Sequence, residues 1–187
     1  MIVGVLLAAG RGTRFGSHKL LHLLPDGTPM VLAALHNLAP SVDSVIVVVR
    51  PEDQKLIQLL SQEPARVLPC PNAEQGMGAS LACGVCAAPE ADAWLIALAD
   101  MPYVPPAVIG ALSAQLQAGA PLVAPTYQDQ RGHPVGFSRT FYPELVALSG
   151  DRGARHLLDQ HTAQLRLIAV ADPGILRDID TPGDLTY

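Results

Sequence analysis

Glycines and basic side chains crowd into one short segment near the start of this sequence. Residues 8–19 read Ala-Ala-Gly-Arg-Gly-Thr-Arg-Phe-Gly-Ser-His-Lys, and residues 1–25 contain no Asp or Glu. Small residues let the backbone approach a ligand closely and expose its N–H groups. Arg14 can hold a phosphate through two hydrogen bonds, and Lys19 can place a point charge on it. A turn with solvated basic residues is the alternative, but the position after the apolar run 2–8 favours phosphate binding.

The glycine spacing excludes two common phosphate-binding loops. Gly16 is followed by Ser-His rather than by Lys and a hydroxyl residue, so the pattern G-x-x-x-x-G-K-[ST] is absent. Gly10 and Gly12 are followed by Gly16, one position too late for G-x-G-x-x-G.

One carboxylate follows an apolar run that predicts a buried strand. Asp100 comes directly after residues 93–99 and precedes Met-Pro. Mg²⁺ takes one or two protein carboxylates and completes its shell with phosphate oxygens and water. Asp100 is therefore a candidate metal ligand, and the alternative is an Asp that only forms a turn.

A second acidic cluster lies near the C-terminus, where residues 178–184 read Asp-Ile-Asp-Thr-Pro-Gly-Asp. Asp178 and Asp180 share a face if this stretch is extended. Alternatively, Asp180 or Thr181 caps a final helix beginning at Pro182. Both interpretations can hold together.

Residues 72–81 read Asn-Ala-Glu-Gln-Gly-Met-Gly-Ala-Ser-Leu, and a helix is predicted to begin near Met77. Glycines at a helix start are unfavourable for the helix. We interpret Gly76 and Gly78 as a surface on which a base or ribose packs. A loose loop with Ser80 facing the second turn is the alternative.

The first loop fits L-x-A-A-G-x-G-x-R-F-G-x-x-K, which resembles the signature loop of nucleotidyltransferases with a Rossmann-like sheet. Leu-Ala-Asp-Met-Pro at 98–102 and Gly-Met-Gly-Ala-Ser-Leu at 76–81 resemble segments of the molybdenum-cofactor branch of that superfamily. The resemblance spans nearly the whole chain and implies an enzyme whose loop wraps a nucleoside triphosphate. It gives nucleotide-binding roles to Leu7, Ala8, Ala9, Gly10, Arg11, Gly12, Arg14, Lys19, Asn72, Gly76, Met77 and Ser80.

The same resemblance implies catalytic roles for Arg14, Lys19 and Asp100, and Mg²⁺ as the cofactor. Related enzymes carry a D-x-G-T-P-like segment whose first Asp is the second metal ligand. Matching Thr-Pro at 181–182 gives that role to Asp178, with Asp180 in a capping or supporting role.

Two further segments, 131–137 and 150–155, resemble the acceptor side of this branch. They suggest that His133 and Arg152 meet a phosphate or a pterin edge of the acceptor. The alternatives are a turn residue for His133, and a solvated helix start for Arg152 and Arg155.

Ala8-Ala9-Gly10 resembles the opening of the cytidylyl branch, since the guanylyl branch has Gly-Gly there, so CTP is the predicted donor. The implied reaction transfers CMP to the phosphate of a molybdopterin-type cofactor and releases pyrophosphate. Alternatives are a GTP-using or sugar-phosphate transferase, and a non-catalytic chaperone that carries the cofactor for a molybdoenzyme. A molybdoenzyme or its chaperone is the protein partner that the resemblance implies.

Cys83 and Cys86 have a spacing that invites a redox or zinc interpretation. They fall within a predicted helix, where positions i and i+3 share a face. The remaining cysteine, Cys70, supplies no second pair for a four-ligand zinc site. Small helix residues are the favoured interpretation.

Short apolar runs alternate with longer amphipathic ones, which predicts βαβ units. Strands are expected at 2–8, 44–49, 66–68, 93–99, 121–124, 134–138 and 166–170. Helices are expected at 29–38, 52–61, 77–88, 105–117, 140–148 and 153–160. The predicted fold is a three-layer α/β/α sandwich with a Rossmann-like, mostly parallel sheet, forming a single nucleotidyltransferase domain over residues 1–187. In such sheets ligands bind at the carboxyl ends of the strands.

The composition restricts the possible partners. A net charge of −5 argues against a nucleic-acid-binding surface. The apolar stretches are far shorter than the ~20 residues that a membrane span needs, and no basic segment precedes residues 2–9 as in a signal peptide. A cytoplasmic location with no membrane partner is therefore predicted.

Overall fold

The computed structural model describes residues 1–10, 15, 19–151 and 153–185, apart from the side chain of Pro182. The strands are β1 (Ile2–Leu7), β2 (Ser44–Val49), β3 (Arg66–Pro69), β4 (Ala93–Leu98), β5 (Leu122–Tyr127), β6 (Gln130–Arg131), β7 (Val135–Ser138) and β8 (Leu165–Ala169). The α-helices are α1 (Met30–Leu38), α2 (Gln54–Leu60), α3 (Met77–Cys86), α4 (Pro106–Gln117), α5 (Tyr142–Val146) and α6 (Arg155–Gln160).

The strands form one sheet in the order β3-β2-β1-β4-β7-β5-β6, with β8 pairing on β5. β1 pairs in parallel with β2 and β4, β2 with β3, and β5 with β8. β7 runs antiparallel between β4 and β5. The predicted α/β fold with a mostly parallel sheet is confirmed.

Alternating side chains send each strand's residues to two different helix layers. Leu6 and Val47 belong to a core cluster with residues of α1, α2 and α4. Val5 and Val48 belong to a second cluster with residues of α3, α5 and α6. Because successive strand residues point to opposite faces, these apolar strands are buried on both sides, and the expected third layer is present.

The strand that periodicity missed is β6, which is two residues long. It forms an antiparallel hairpin with β5. Gln128 and Asp129 form the turn, with φ of 47° and 64°. A two-residue strand is too short for an alternating pattern to mark it.

The C-terminal segment returns to the carboxyl edge of the sheet and joins it beside the end of β4. The Ile179 N–H donates to the Asp100 carbonyl oxygen at 2.9 Å. The Ile179 side chain is buried against Phe15, Leu24 and Met30. This contact holds residues 178–180 beside Asp100, although they are about 80 positions apart in the chain.

No helix in the described ranges is long and apolar enough to cross a membrane.

α3 packs on the sheet through Gly84, because a Cβ there would overlap Val5 and lie 2.9 Å from Val48 Cγ2. We expect Gly84→Ala to lower the free energy of unfolding by about 1–3 kcal/mol through overpacking, although Ala is the better helix former. In α4, a Cβ on Gly110 would have only the Ser41 hydroxyl near it, at 3.6 Å. Gly110→Ala is therefore the matched control, expected to stabilise by up to about 1 kcal/mol. Urea denaturation of both variants measures this, and equal effects would contradict it.

Candidate active site

A lysine lies between two carboxylates at the carboxyl edge of the sheet. The Lys19 ammonium donates to Asp100 Oδ2 and to Asp180 Oδ1, both at 2.9 Å. The Lys19 side chain is only 7% exposed, whereas Asp100 and Asp180 are 30% and 45% exposed. The cation is therefore nearly enclosed, while both carboxylates remain reachable from outside.

The electrostatics of this cluster keep Lys19 charged. Burial by itself would lower the pKa of Lys19, but hydrogen bonds to Asp180 and Asp100, together with their charges, outweigh it and raise the pKa. An ammonium has three N–H donors, and Asp100 and Asp180 accept two of them. The cluster carries a formal charge of −1, so it can attract a further cation.

The loop that presents Asp180 is folded around a different carboxylate, Asp184. Asp184 Oδ2 accepts the backbone N–H of Asp180 at 2.9 Å and of Thr181 at 2.6 Å, and the Thr181 hydroxyl at 2.9 Å. These hydrogen bonds lower the pKa of Asp184, and the one from the Thr181 backbone N–H has the largest effect. The capping carboxylate is thus Asp184 rather than Asp180, and Pro182–Leu185 is a short 3₁₀ helix.

The two C-terminal candidates for the second metal ligand lie in different surroundings. Asp180 pairs with Lys19, whereas Asp178 is exposed on the other side of the buried Ile179. The structure therefore brings Asp180 to Lys19 and Asp100, while the role of Asp178 as a metal ligand stays a prediction.

The start of α3 packs against another loop of the protein. The Gly78 N–H donates to the Gly150 carbonyl oxygen at 2.8 Å. A Cβ on Gly76, whose φ is +115°, would lie 2.5 Å from that oxygen, and a Cβ on Gly78 would lie 2.7 Å from the Ser149 carbonyl. The close approach of the loop 149–151 therefore requires glycine at both positions, and packing of a base or ribose on this segment stays a prediction.

Three other residues of the 72–81 segment differ in how far they are exposed. Ser80 is buried in α3, and its hydroxyl donates to the Gly76 carbonyl at 3.4 Å, so the segment is not a loose loop. Met77 is 44% exposed and faces the cavity described below. Asn72 is exposed and directly precedes the short 3₁₀ helix Ala73–Gln75.

A cavity of about 910 Å³ opens beside this helix start. It is lined by Leu7, Met77, Leu81, Ile96, Leu98, Gln130, Arg131, Gly132, His133, Val135, Asp151, Ala154, Arg155, His156, Leu158 and Asp159. Apolar side chains from β1, β4 and α3 form its walls. A cavity of this size can enclose most of a nucleotide-sized ligand.

His133, predicted to meet the acceptor, lines this cavity. Its backbone N–H donates to the Ile175 carbonyl at 2.9 Å, while its buried Nδ1 has no hydrogen-bond partner among the described residues. Burial lowers the pKa of His133, with the Asp100 charge opposing and the Arg131 charge reinforcing this shift. A neutral imidazole with one unsatisfied nitrogen is ready to accept or donate a hydrogen bond.

Arg50 is a site residue that the sequence analysis missed. It follows β2 directly, and its Nε donates to the Ala9 carbonyl oxygen at 2.7 Å, which fixes the start of the glycine-rich loop. Its position at the carboxyl end of a predicted strand was the available signal.

The first-loop residues inside the described ranges have separate roles. Ala8 packs with the α1, α2 and α4 layer, and Ala9 with the α3 layer. Gly10 is exposed, and a Cβ added there would meet open space. The predicted ligands Arg11, Gly12, Arg14 and Arg152 lie outside the described residues.

Residues 4–165 match the family model of the MobA-like NTP transferase domain. The chain belongs to this family. Its members are nucleotidyltransferases, commonly dependent on a divalent metal.

Relatives of this chain bear several different names. The chain is 34% identical over 193 residues to purine catabolism protein PucB of Bacillus subtilis, covering 97% of this chain and 92% of that protein. It is 30% identical to nicotine blue oxidoreductase of Paenarthrobacter nicotinovorans, covering 96% of this chain and 92% of that protein. It is 34% identical to a molybdenum cofactor guanylyltransferase of Burkholderia ambifaria, covering 82% of this chain and 75% of that protein.

Among solved structures, the chain is similar to Rv0371c of Mycobacterium tuberculosis H37Rv in complex with manganese. The TM-score is 0.80 at 28% identity, covering 98% of this chain and 95% of that one.

Removing the cation from the cluster should expose the repulsion between its carboxylates. Because the pKa of Lys19 is raised, its ion pairs persist across the neutral range and are lost only above the usual lysine range. We expect Lys19→Met to lower the free energy of unfolding at pH 7 by about 1–3 kcal/mol, a value reduced by the exposure of the two carboxylates.

The loss should shrink near pH 4, where ordinary carboxyl groups begin to take up protons. Denaturant titrations at pH 7 and pH 4 measure it, with the exposed Lys55→Met as control. A loss that is the same at both pH values would mean that the carboxylates do not repel each other.

Proposed function

We propose that this chain acts as one domain that transfers CMP from CTP to the phosphate of a molybdopterin-type cofactor and releases pyrophosphate. The observation that carries the proposal is the convergence of Lys19, Asp100 and Asp180, with the Asp100 charge close enough to influence His133 in the wall of the 910 Å³ cavity. Phosphoryl-group transfer needs positioned positive charge and a place for both substrates more than it needs a protein nucleophile.

The carboxylates of the cluster fit a divalent cation. Asp100 and Asp180 both accept from one ammonium nitrogen, so a single positive centre can touch both. Two carboxylates match what Mg²⁺ usually takes from a protein. When bound, Mg²⁺ supplies charge neutralisation at the reacting phosphates. The likeness to a manganese-bound structure of the same fold supports a divalent cation here.

Lys19 and Arg14 have separate roles in the proposed reaction. Lys19 has a third N–H donor for a phosphate oxygen, and Arg14 neutralises the rest of the triphosphate. An oxygen of the acceptor phosphate attacks the α-phosphorus of CTP, and the bond to the departing pyrophosphate breaks. Holding the two anions in line at this edge supplies most of the rate enhancement.

The cavity lined by His133 is the proposed place for the acceptor. His133 carries an unsatisfied nitrogen for a polar acceptor edge, and Asp151, which precedes the predicted ligand Arg152 in the sequence, also lines the cavity. The apolar walls suit the flat body of a pterin.

A GTP-dependent reaction is the second candidate, because one relative is named a molybdenum cofactor guanylyltransferase. Pyrophosphate release with CTP, GTP and ATP, against a molybdopterin-type acceptor and sugar phosphates, tests both candidates. If none of the three triphosphates yields pyrophosphate, a non-catalytic cofactor carrier is the alternative that remains.

Charge removal without loss of volume tests the carboxylates. We expect Asp100→Asn to reduce metal-dependent turnover ~100-fold or more, because it removes a carboxylate at the reacting phosphates. Asp180→Asn should reduce it ~10–100-fold, as loss of a metal-orienting group does. Asp178→Asn is the matched control on the exposed side of the same segment.

Steady-state rates over a metal titration, with unfolding curves for each variant, give the ranking. The sequence pattern predicts instead that Asp178 is the ligand and that Asp180 matters more for stability. A large rate loss in Asp178→Asn with a normal rate in Asp180→Asn would establish that assignment and refute ours.

Base choice is proposed to depend on the methyl group of Ala9, on the α3 side of the sheet. We expect Ala9→Gly to relax the preference for CTP over GTP by ~10-fold, since a methyl-sized contact discriminates weakly. Ala8→Gly, on the opposite face, is the control and should leave the ratio unchanged. Competition assays with both triphosphates give the ratios, and a wild type that uses GTP equally well would refute the cytidylyl assignment.

A further inference from the structure

A second group of charged side chains lines the cavity. His133 is close enough to both Asp100 and Arg131 for each charge to influence its titration. His133 and Arg131 both line the cavity, whereas Asp100 does not. His133 is therefore the lining residue that lies near Asp100 as well as near Arg131.

Three basic side chains surround one carboxylate in the cavity wall. Arg131 donates to Asp159 Oδ1 at 2.8 Å, and Arg155 and His156 lie one turn earlier on α6. All four line the cavity, as does a second carboxylate, Asp151. The hydrogen bond from Arg131, followed by the charges of Arg131, Arg155 and His156, lowers the pKa of Asp159. Asp159 is thus the internal anion of this group of three basic side chains.

We propose that Arg131, Arg155 and His156 form a second anion-binding subsite, which takes a phosphate or carboxylate of the acceptor other than its reacting phosphate. In the free protein Asp159 occupies this subsite, and the incoming anion replaces it as the partner of Arg131. His133, which lines the same cavity, binds a neutral polar group of the same acceptor through its unsatisfied Nδ1.

The existing ion pair is suited to such an exchange. The side chains of Arg131 and Asp159 are 25% and 58% exposed, so water can solvate Asp159 as it leaves. Pairs this exposed hold little net free energy. An arginine fork bound to phosphate or carboxylate through two hydrogen bonds gains more, particularly against an apolar wall such as Leu158.

This inference deepens the proposed function, because it adds that the preferred acceptor has two anionic groups. An acceptor with a single phosphate would leave this second subsite unused. The subsite itself can be tested without turnover, so the two proposals can fail separately.

The first experiment uses inorganic phosphate as the probe and the full chain saturated with Mg²⁺ and a non-hydrolysable CTP analogue. Phosphate is titrated while the ring signals of ¹³C-labelled histidines are recorded by NMR, with His156→Gln used to assign His156. We expect phosphate to shift the His156 signals. Asp159→Asn should tighten phosphate binding ~3–10-fold by removing the internal competitor, and Arg131→Gln should weaken it ~10-fold or more.

Two exposed residues elsewhere provide variants with the same charge changes. Glu90→Gln matches Asp159→Asn, and Lys55→Gln matches Arg131→Gln. Neither should alter phosphate affinity more than ~2-fold, as expected for screened charges far from the site. Unchanged or weaker binding by Asp159→Asn would overturn the proposal, and this holds even if Arg131→Gln does not fold. If Glu90→Gln and Lys55→Gln changed phosphate affinity as much as the cavity variants do, the effect would be general electrostatics, and the proposal would also be overturned.

The second experiment measures turnover. Arg131→Gln should raise the KM of an acceptor with two anionic groups ~10-fold or more, with kcat and the KM of CTP unchanged. The same variant should leave the KM of a single-phosphate acceptor unchanged, and a rise for both acceptors would refute selective recognition. If no acceptor releases pyrophosphate, the proposed function fails, while the phosphate titration still decides the subsite.

Discussion

The arrangement of this protein depends on one buried cation held between two carboxylates. Lys19 comes from the first loop, Asp100 from the end of β4 and Asp180 from the C-terminal segment, so one ammonium ties together distant parts of the chain. Two carboxylates this close repel each other unless a positive charge lies between them. The ion pairs therefore stabilise the fold and keep the carboxylates where a divalent cation can reach them. The charges of Lys19, Asp100 and Asp180 thus both stabilise the fold and take part in the proposed chemistry.

Backbone packing connects this cluster to the rest of the cavity. Gly76 and Gly78 let the loop 149–151 lie directly against the start of α3, where any side chain would collide with its carbonyl groups. The segment predicted to pack against the nucleoside and the loop 149–151 are thus in van der Waals contact. Close-packed backbones of this kind leave little room for either segment to adjust independently.

The proposed anion binding depends on individual charges in the cavity rather than on the charge of the whole protein. The net charge is −5, and Arg131, Arg155 and His156 line the cavity together with Asp151 and Asp159. Local charges at short range outweigh the distant net charge, which salt screens beyond ~8–10 Å. Burial disfavours the charged form of His133 and lowers its pKa. The cavity wall therefore combines basic side chains, carboxylates and a histidine whose neutral form is favoured.

The sequence by itself determined the layers, the strand bounds to within a few residues, the family, and the location of Asp100 at a strand end. Apolar runs and glycine spacing are local signals, and a doubly wound sheet follows from them with little freedom. Tertiary structure alone decided that Asp180 rather than Asp178 reaches Lys19, because Asp184 and the buried Ile179 set the direction of that segment. It also decided that Arg131 meets Asp159 and that Arg50 meets Ala9. Such pairs join residues 28 and 41 positions apart, and nothing in a local pattern specifies which distant side chain will be the partner.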